Sequence, residues 1–277
     1  MAAIEANVYI VSGGTRGIGY GLARELLRLG QKVIICGRGD VEKAVLTLGE
    51  FIPGECLTKE RVRGIRCDIS NYADVENLWQ YAVHAFERVD VFVNNAGLSN
   101  EGKNLVDLSP ELIKKVVDVN VTGSMNCCRV AMLKMQAQAA GGRFYLMEGL
   151  GSDGRARAGQ SVYGATKSAV RVFMRGMQQE AKGTNVKIGC LSPGMVTTDL
   201  LMNRYRRNPD EFSKVRTIFN ILCEHETTTT PWLAQQLVAD QMEARYLTPL
   251  SVMWRFVKYG IFCRRDLFAD DPDFART

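Results

Sequence analysis

The sequence predicts an α/β protein, a doubly wound parallel sheet with a lid and further helices supplied by its C-terminal part. Three observations predict it. Short β-branched runs alternate with longer helical patterns, the first run opens into a glycine-rich turn, and no internal repeat or low-complexity linker divides the 277 residues. The runs "VYIVSG" (8–13), "KVIICG" (32–37), "VRGIRCD" (62–68), "VDVFVNNAG" (89–97), "GRFYLMEG" (142–149) and "VKIGCLSPG" (186–194) read as strands buried on both faces. Between them lie helical patterns, one from Gly17 to the stop at Gly30 and another after the cap-like "SPEL" at 109–112. From about residue 195 the pattern breaks and basic and aromatic residues become frequent. The chain therefore reads as one domain, residues 1–277, in which 195–277 form a substrate lid and a helical extension over the carboxyl edge of the sheet.

Composition excludes several classes. A net charge of +5 is too mild for nucleic-acid binding, and 46% hydrophobic with 23% charged residues is ordinary for a soluble globular protein. Eight cysteines without CxxC spacing suggest free thiols in a reducing compartment. The only histidines, His84 and His225, lack a partner at ligand spacing, which argues against a metal site and against a Ser-His-Asp hydrolase. No apolar run approaches the roughly 18–20 residues that span a bilayer. The strand-like stretch "NVYIVSGG" begins at Asn7 and leaves six residues ahead of it, too few for a signal or transit peptide, so either the protein works where it is made or a targeting segment has been removed.

The turn "SGGTRGIG" (12–19) follows a strand and opens a helix. Gly13, Gly17 and Gly19 allow a tight turn and close approach of a pyrophosphate, with Thr15, Arg16 and Ile18 between them and a helix N-terminus aimed at the charge. A site for NAD usually places an acidic residue at the end of the second strand. Here Gly37 and Arg38 stand there, and Arg38 with Arg16 suits the 2′-phosphate of NADPH. Asp40 dissents, a few positions late, and two solvated arginines are the plainer alternative. After the third strand, Asp68 and Ile69 can bracket an adenine ring. After the fourth, Asn94, Ala96 and Gly97 offer small residues where cofactor and sheet edge meet.

Tyr163 and Lys167 lie one helical turn apart, on the same face. Hydride delivery to a carbonyl leaves negative charge on its oxygen, which an acid must neutralise. A tyrosine holds its proton tightly, and a neighbouring ammonium favours the phenolate. Tyr163 is therefore the expected acid, with its pKa lowered by Lys167.

These residues together, the glycine loop, Asp68, "NNAG" (94–97), Asn120, Tyr163-x-x-x-Lys167 and Pro193-Gly194, resemble the short-chain dehydrogenase/reductase family over roughly residues 7–200. The resemblance implies a Rossmann-type fold and proton donation by Tyr163. It implies that Lys167 bonds the nicotinamide ribose and that Asn120 orders a water chain. It also implies that Tyr163, Lys167, Pro193, Gly194, Val196 and Thr198 touch the cofactor. The family's serine lies 12 or 13 positions before the tyrosine, where this chain has Gly151 and Leu150. Ser152, eleven before, either supplies the hydroxyl through a changed loop or only caps a turn. Glu148 is unexpected at a strand end facing the site, either a cap or a substrate-orienting group.

"MEGLGSDGR", "YGATK", "LSPGMVTTDLLM" and "FNILCE" are more narrowly similar to the chlorophyll b reductases of plant pigment catabolism, over residues 142–224. That similarity implies NADPH-dependent reduction of the C7 formyl group of chlorophyll b to hydroxymethyl, with Met195 and Leu200 near the substrate. It also implies a chloroplast location, at the thylakoid surface or in the stroma, for a processed plant or algal protein, and a cytoplasmic one for a bacterial protein. Two other functions stay open: a reductase of a smaller ketone, aldehyde or acyl thioester, and a non-catalytic nucleotide-binding regulator. The expected partners are a small-molecule substrate and a further copy of the chain in a homo-oligomer. The mixed aromatic and basic stretch 250–265 suits a membrane interface or pigment-protein contact, or a subunit contact or core-covering helix. The basic stretch 203–212 reads as a mobile lid whose arginines are solvated.

Overall fold

The computed structural model describes residues 6–50, 58–261 and 265–274. Strand β1 (Val8–Ser12) leads into α1 (Gly17–Arg28), then β2 (Lys32–Gly37), α2 (Val41–Glu50), the short α3 (Thr58–Arg61), β3 (Val62–Arg66) and α4 (Tyr72–Phe86). The second half of the sheet begins with β4 (Val91–Asn94), followed by α5 (Pro110–Val117), a π-helical segment (Asp118–Thr122), α6 (Gly123–Gln136), β5 (Gly142–Met147), α7 (Ser161–Glu180) and β6 (Val186–Ser192). The rest comprises β7 (Met195–Val196), α8 (Asp199–Arg207), α9 (Pro209–Leu222), β8 (Cys223–Glu224), α10 (Glu226–Val238), β9 (Glu243–Arg245) and α11 (Pro249–Ile261).

Seven strands form one sheet in the order β3-β2-β1-β4-β5-β6-β9, every pair parallel. Chain direction through the sheet reverses between β1 and β4, and such a switch opens a crevice at the carboxyl ends of the strands. All six strand runs read from the sequence are found. The fourth stops at Asn94, because the three residues that follow turn away to line the crevice. The seventh strand, β9, was not foreseen: only Ala244 of its three residues is buried, and pairing with β6 holds it.

Side chains alternate between two core layers, as the period of two in a strand demands. Ile10, Ile34, Phe92, Phe144 and Ile188 face one way, against α4, α6 and α7. Tyr9, Val33, Ile35, Val91 and Tyr145 face the other, against α1, α2 and α10. The six cysteines among the described residues are free thiols, all buried.

The C-terminal part divides in two. Residues of α10 and β9 return to the main core, with Leu233, Ala234 and Leu237 packed beside α1. They do not lie over the carboxyl edge, as expected for the whole of 195–277. Helices α8 and α9 and the tail instead pack around a separate aromatic cluster of Tyr205, Phe212, Phe219, Phe268 and Phe274. The basic stretch 203–212 is tied down: Arg204 bonds Glu211, Arg206 bonds Asp199 and Asp273, and Arg207 bonds Glu101.

Helix α11 begins with a reciprocal cap, Thr248 N–H to Ser251 Oγ and Ser251 N–H to Thr248 Oγ1. Arg255 turns inward, bonding Glu224 at 2.7 Å and lying over the Tyr246 ring. Leu250, Met253, Trp254, Val257 and Ile261 share the outer face and are exposed, so α11 covers no core with its apolar stripe. Phe262, Cys263 and Arg264 of the stretch read as interfacial lie outside the described residues. No described helix is long and apolar enough to cross a membrane.

Candidate active site

The glycine loop is shaped by close packing. Gly13 has φ +66°, and a Cβ there would lie 2.9 Å from Ala96 Cα; one at Gly19 would lie 2.3 Å from the Gly13 carbonyl oxygen. Only glycine permits this turn. Arg16 stands at the N-cap of α1 but makes no side-chain capping bond, and the first turn carries no acidic residue. Helices α4, α5 and α9, in contrast, are capped by Asn71, Ser109 and Asn208. The first N–H groups of α1 are thus left for an anion, the arrangement that receives a pyrophosphate. Thr198 sits across the loop, its methyl 3.5 Å from where a Gly17 Cβ would be, so Gly17 and Thr198 face each other over the crevice. Ile18 packs partly buried on the core behind the loop. These features fit a dinucleotide.

At the end of β2, Thr15 lies against Gly37 and Gly39. Asp40 is no rival for a ribose hydroxyl: its carboxylate caps α2 by accepting from the Lys43 N–H at 2.9 Å. Arg38 approaches Asp68 at 3.4 Å and Arg16 approaches Asp199 at 3.9 Å, both loose, exposed pairs that leave the guanidiniums available. Burial raises the Asp68 pKa, but bonds from the Ser70 hydroxyl and N–H and the charge of Arg38 outweigh it and hold the carboxyl below its usual range. The Ile69 side chain is buried beneath Gly123, and its carbonyl accepts from the Asn126 amide at 3.1 Å.

Asn94 likewise serves inside the protein. Its amide donates to Ser124 Oγ at 2.6 Å and its oxygen accepts from Ser12. Ser12 Oγ in turn accepts the N–H groups of Asn95 and Ala96, and Ser124 Oγ donates to the Asn120 carbonyl. This buried chain runs from β1 through β4 to the π-helical segment. There Asn120 is buried, donating to the Leu98 carbonyl and to Thr166 Oγ1 and accepting the Leu98 N–H. A single π turn at such a position widens the helix locally, as often occurs at functional sites.

Tyr163 and Lys167 share the inner face of α7 and are both buried. The Lys167 ammonium donates to the Met147 carbonyl at 3.0 Å and lies 5.8 Å from the Tyr163 ring centre. Burial pushes the Tyr163 pKa up to about 12. The expected lowering by Lys167 is not what this structure holds; burial alone sets the shift, and the phenol keeps its proton. Burial also lowers Lys167 to about 8, with the Glu148 carboxylate opposing the shift.

Position 151 has no room for a serine side chain, since Gly151 has φ +94° and a Cβ there would lie 2.5 Å from Gly164 Cα, while Leu150 is exposed. A Cβ on Gly149 would lie 2.5 Å from Tyr163 Oη, so no larger residue fits there. A tight turn follows, in which Gly149 N–H donates to Ser152 Oγ and Ser152 N–H to the Gly149 carbonyl, each 3.0 Å. Ser152 thereby both caps the turn and carries a buried hydroxyl back to the glycine that abuts Tyr163 Oη. Glu148 does not point its carboxylate at a free site: Arg171 and Arg245 take up both oxygens. Pro193 is buried, Gly194 (φ +76°) packs on Leu247, and Val196 is buried in β7. Met195 leans on the aromatic cluster and Leu200 is exposed on α8.

Two site residues escaped the sequence reading. Asn100, fully buried, accepts the Tyr163 N–H and donates to the Gly159 and Lys103 carbonyls, capping α7 from 63 residues away. Thr166 links Asn120 to the Tyr163 carbonyl. The "YGATK" spacing contained Thr166; nothing local marked Asn100.

Among known proteins, the model of the short chain dehydrogenase family matches residues 7–209. The chain is 37% identical over 265 residues to the chloroplastic chlorophyll(ide) b reductase NOL of Arabidopsis thaliana, covering 92% of this chain and 72% of that protein. It is 32% identical to the probable chlorophyll(ide) b reductase NYC1 of the same plant, spanning 95% of this chain but only 54% of that longer protein. Among solved structures, a variant of the actinorhodin polyketide ketoreductase with NADPH superposes with a TM-score of 0.74 at 23% identity, over 88% of this chain and 97% of that one.

Proposed function

This chain belongs to the short-chain dehydrogenase family, an oxidoreductase enzyme, and we propose that it is an NADPH-dependent reductase of the C7 formyl group of chlorophyll b, or a related tetrapyrrole, yielding the 7-hydroxymethyl pigment in chlorophyll breakdown. One observation carries the reading: Ser152 reaches back to Gly149 beside Tyr163 Oη, in the turn where this chain, 37% identical over 265 residues to a chlorophyll(ide) b reductase, departs from the common serine spacing.

The dinucleotide would lie along Gly13, Thr15, Gly17, Gly19, Ala96, Gly97 and Thr198, with Arg16 and Arg38 on its 2′-phosphate, and it supplies the hydride. Tyr163 donates its phenolic proton to the carbonyl oxygen, whose growing charge Ser152 also stabilises. A protonated phenol is the required starting state, and burial maintains it. Lys167 supplies positive charge as the phenolate forms, and Asn120 holds the Leu98 loop and α7 together behind it. Met195 and Leu200 form the apolar side of the entrance. The outward stripe of α11 supports peripheral contact with a pigment-bearing membrane or protein, the relatives support a chloroplast location, and the apolar residues exposed on α6 and α7 support a homo-oligomer.

The test is incubation of purified protein with NADPH and detergent-dispersed chlorophyll b, followed by chromatography of the pigments. An NADPH-dependent 7-hydroxymethyl product, lost in Tyr163→Phe, is expected. No product with intact NADPH binding would overturn the pigment assignment and leave a smaller carbonyl.

A further inference from the structure

Glu148 is a carboxylate with its side chain almost wholly buried at the end of β5. Its Oε1 accepts from Arg171 on α7, and Arg245 at the end of β9 grips both oxygens, at 2.8 and 3.3 Å. Arg171 follows Lys167 by four residues, so the two project from one face of α7. Met147, the last residue of β5, and Glu148 after it are therefore clamped to that face, Met147 through its carbonyl to Lys167 and Glu148 through its carboxylate to Arg171. Arg245 ties the same point to the sheet edge.

Stability alone does not explain such a cluster, because apolar residues of similar size usually do as well as a buried ion pair. The charge balance suggests more. Glu148 and its two arginines lie with Glu243 of β9 around Cys190 on β6, while Tyr163 and Arg171 stand one turn to either side of Lys167 on α7. Cys190 is a buried neutral thiol and Glu243 is exposed. Two guanidiniums thus hold Glu148 in place, and Glu148 is the buried carboxylate whose charge favours the Lys167 ammonium against its burial.

Resting on the carbonyl-reductase reading above, we propose that Glu148 is a positioning residue of the reaction: clamped by Arg171 and Arg245, it sets the β5 turn against α7 and keeps Lys167 an ammonium beside Tyr163. It touches neither substrate nor cofactor and acts through Lys167.

The test reads the titration of Lys167 directly, by NMR of protein labelled with ε-¹³C-lysine, the signal assigned by its loss in Lys167→Met. No substrate is needed, so a wrong pigment assignment leaves this result intact. In Glu148→Gln the midpoint should fall by at least one pH unit, and in Arg245→Met it should rise, because the carboxylate then has one fewer cation to neutralise. With an accepted carbonyl substrate, kcat of Glu148→Gln at pH 8 should drop about tenfold while KM holds, and should recover toward pH 6; Glu148→Asp should restore much of it. Unmoved midpoints in both Glu148→Gln and Arg245→Met, with only a lower thermal midpoint, would overturn the proposal and leave a structural clamp. Should Glu148→Gln fail to fold, the direction of the Arg245→Met shift decides alone: upward supports it, no shift or a downward one overturns it.

Discussion

The floor of the site and the cap over it are built by different physics. The floor rests on parallel strands whose alternate residues fill two continuous core layers, and its polar groups form one buried chain from Ser12 to Asn120. The cap, α8 and α9 with the tail 265–274, rests on a small aromatic cluster, with Phe212 at its centre 4.2 Å from Phe274 and 4.9 Å from Phe268, and on surface ion pairs. Surface pairs contribute little, so the cap depends on a few rings. A rigid floor holds the reacting groups, while a separately packed cap can vary with the substrate.

The largest effect expected is on the floor. Tyr163→Phe should cut kcat by roughly 10²–10⁴-fold, the usual contribution of a positioned acid, with NADPH affinity by fluorescence titration unchanged. Retained turnover would break the assignment of the acid. In the cap, Phe212→Ala should cost about 3–5 kcal/mol of local packing. Hydrogen exchange should show this loss in α8 and α9 and not in the strands; uniform loss of protection would show that cap and floor unfold as one unit.

Lys167 sharpens the contrast through pH. Its folded pKa, about 8, lies below its unfolded value, so between about pH 8 and 10 the unfolded chain binds the extra proton and stability gains as pH rises. Below pH 8 the buried charge is a full cost. Lys167→Met should therefore abolish turnover yet raise stability at pH 7 by up to roughly 3 kcal/mol, read by denaturant unfolding. A destabilised variant would contradict the burial argument. The smallest effect belongs to an exposed floor residue: Arg38→Glu should weaken NADPH by about 1.5–3 kcal/mol and NADH far less, and equal losses would refute the phosphate contact.

Much of the floor could be read without the structure. Strands buried on both faces must be written as apolar runs, and a phosphate turn must be written in glycine, so both stand out. β9 could not be read, since a three-residue strand with one buried side chain leaves no pattern. Nor could Glu148: the sequence showed an odd carboxylate, but Arg245 lies 97 residues away.

The sequence by itself determined the doubly wound sheet, the glycine loop and the pairing of Tyr163 with Lys167, because each depends on spacing within one element or on runs that burial requires. Only the tertiary structure decided that Gly149 must be glycine, that Ser152 folds back to it, that Asn100 caps α7, and that Tyr163 is held protonated where the ammonium alone would have lowered it. Those outcomes depend on which groups meet across the fold and how far water is excluded, and neither distance nor desolvation is written in the order of residues along the chain.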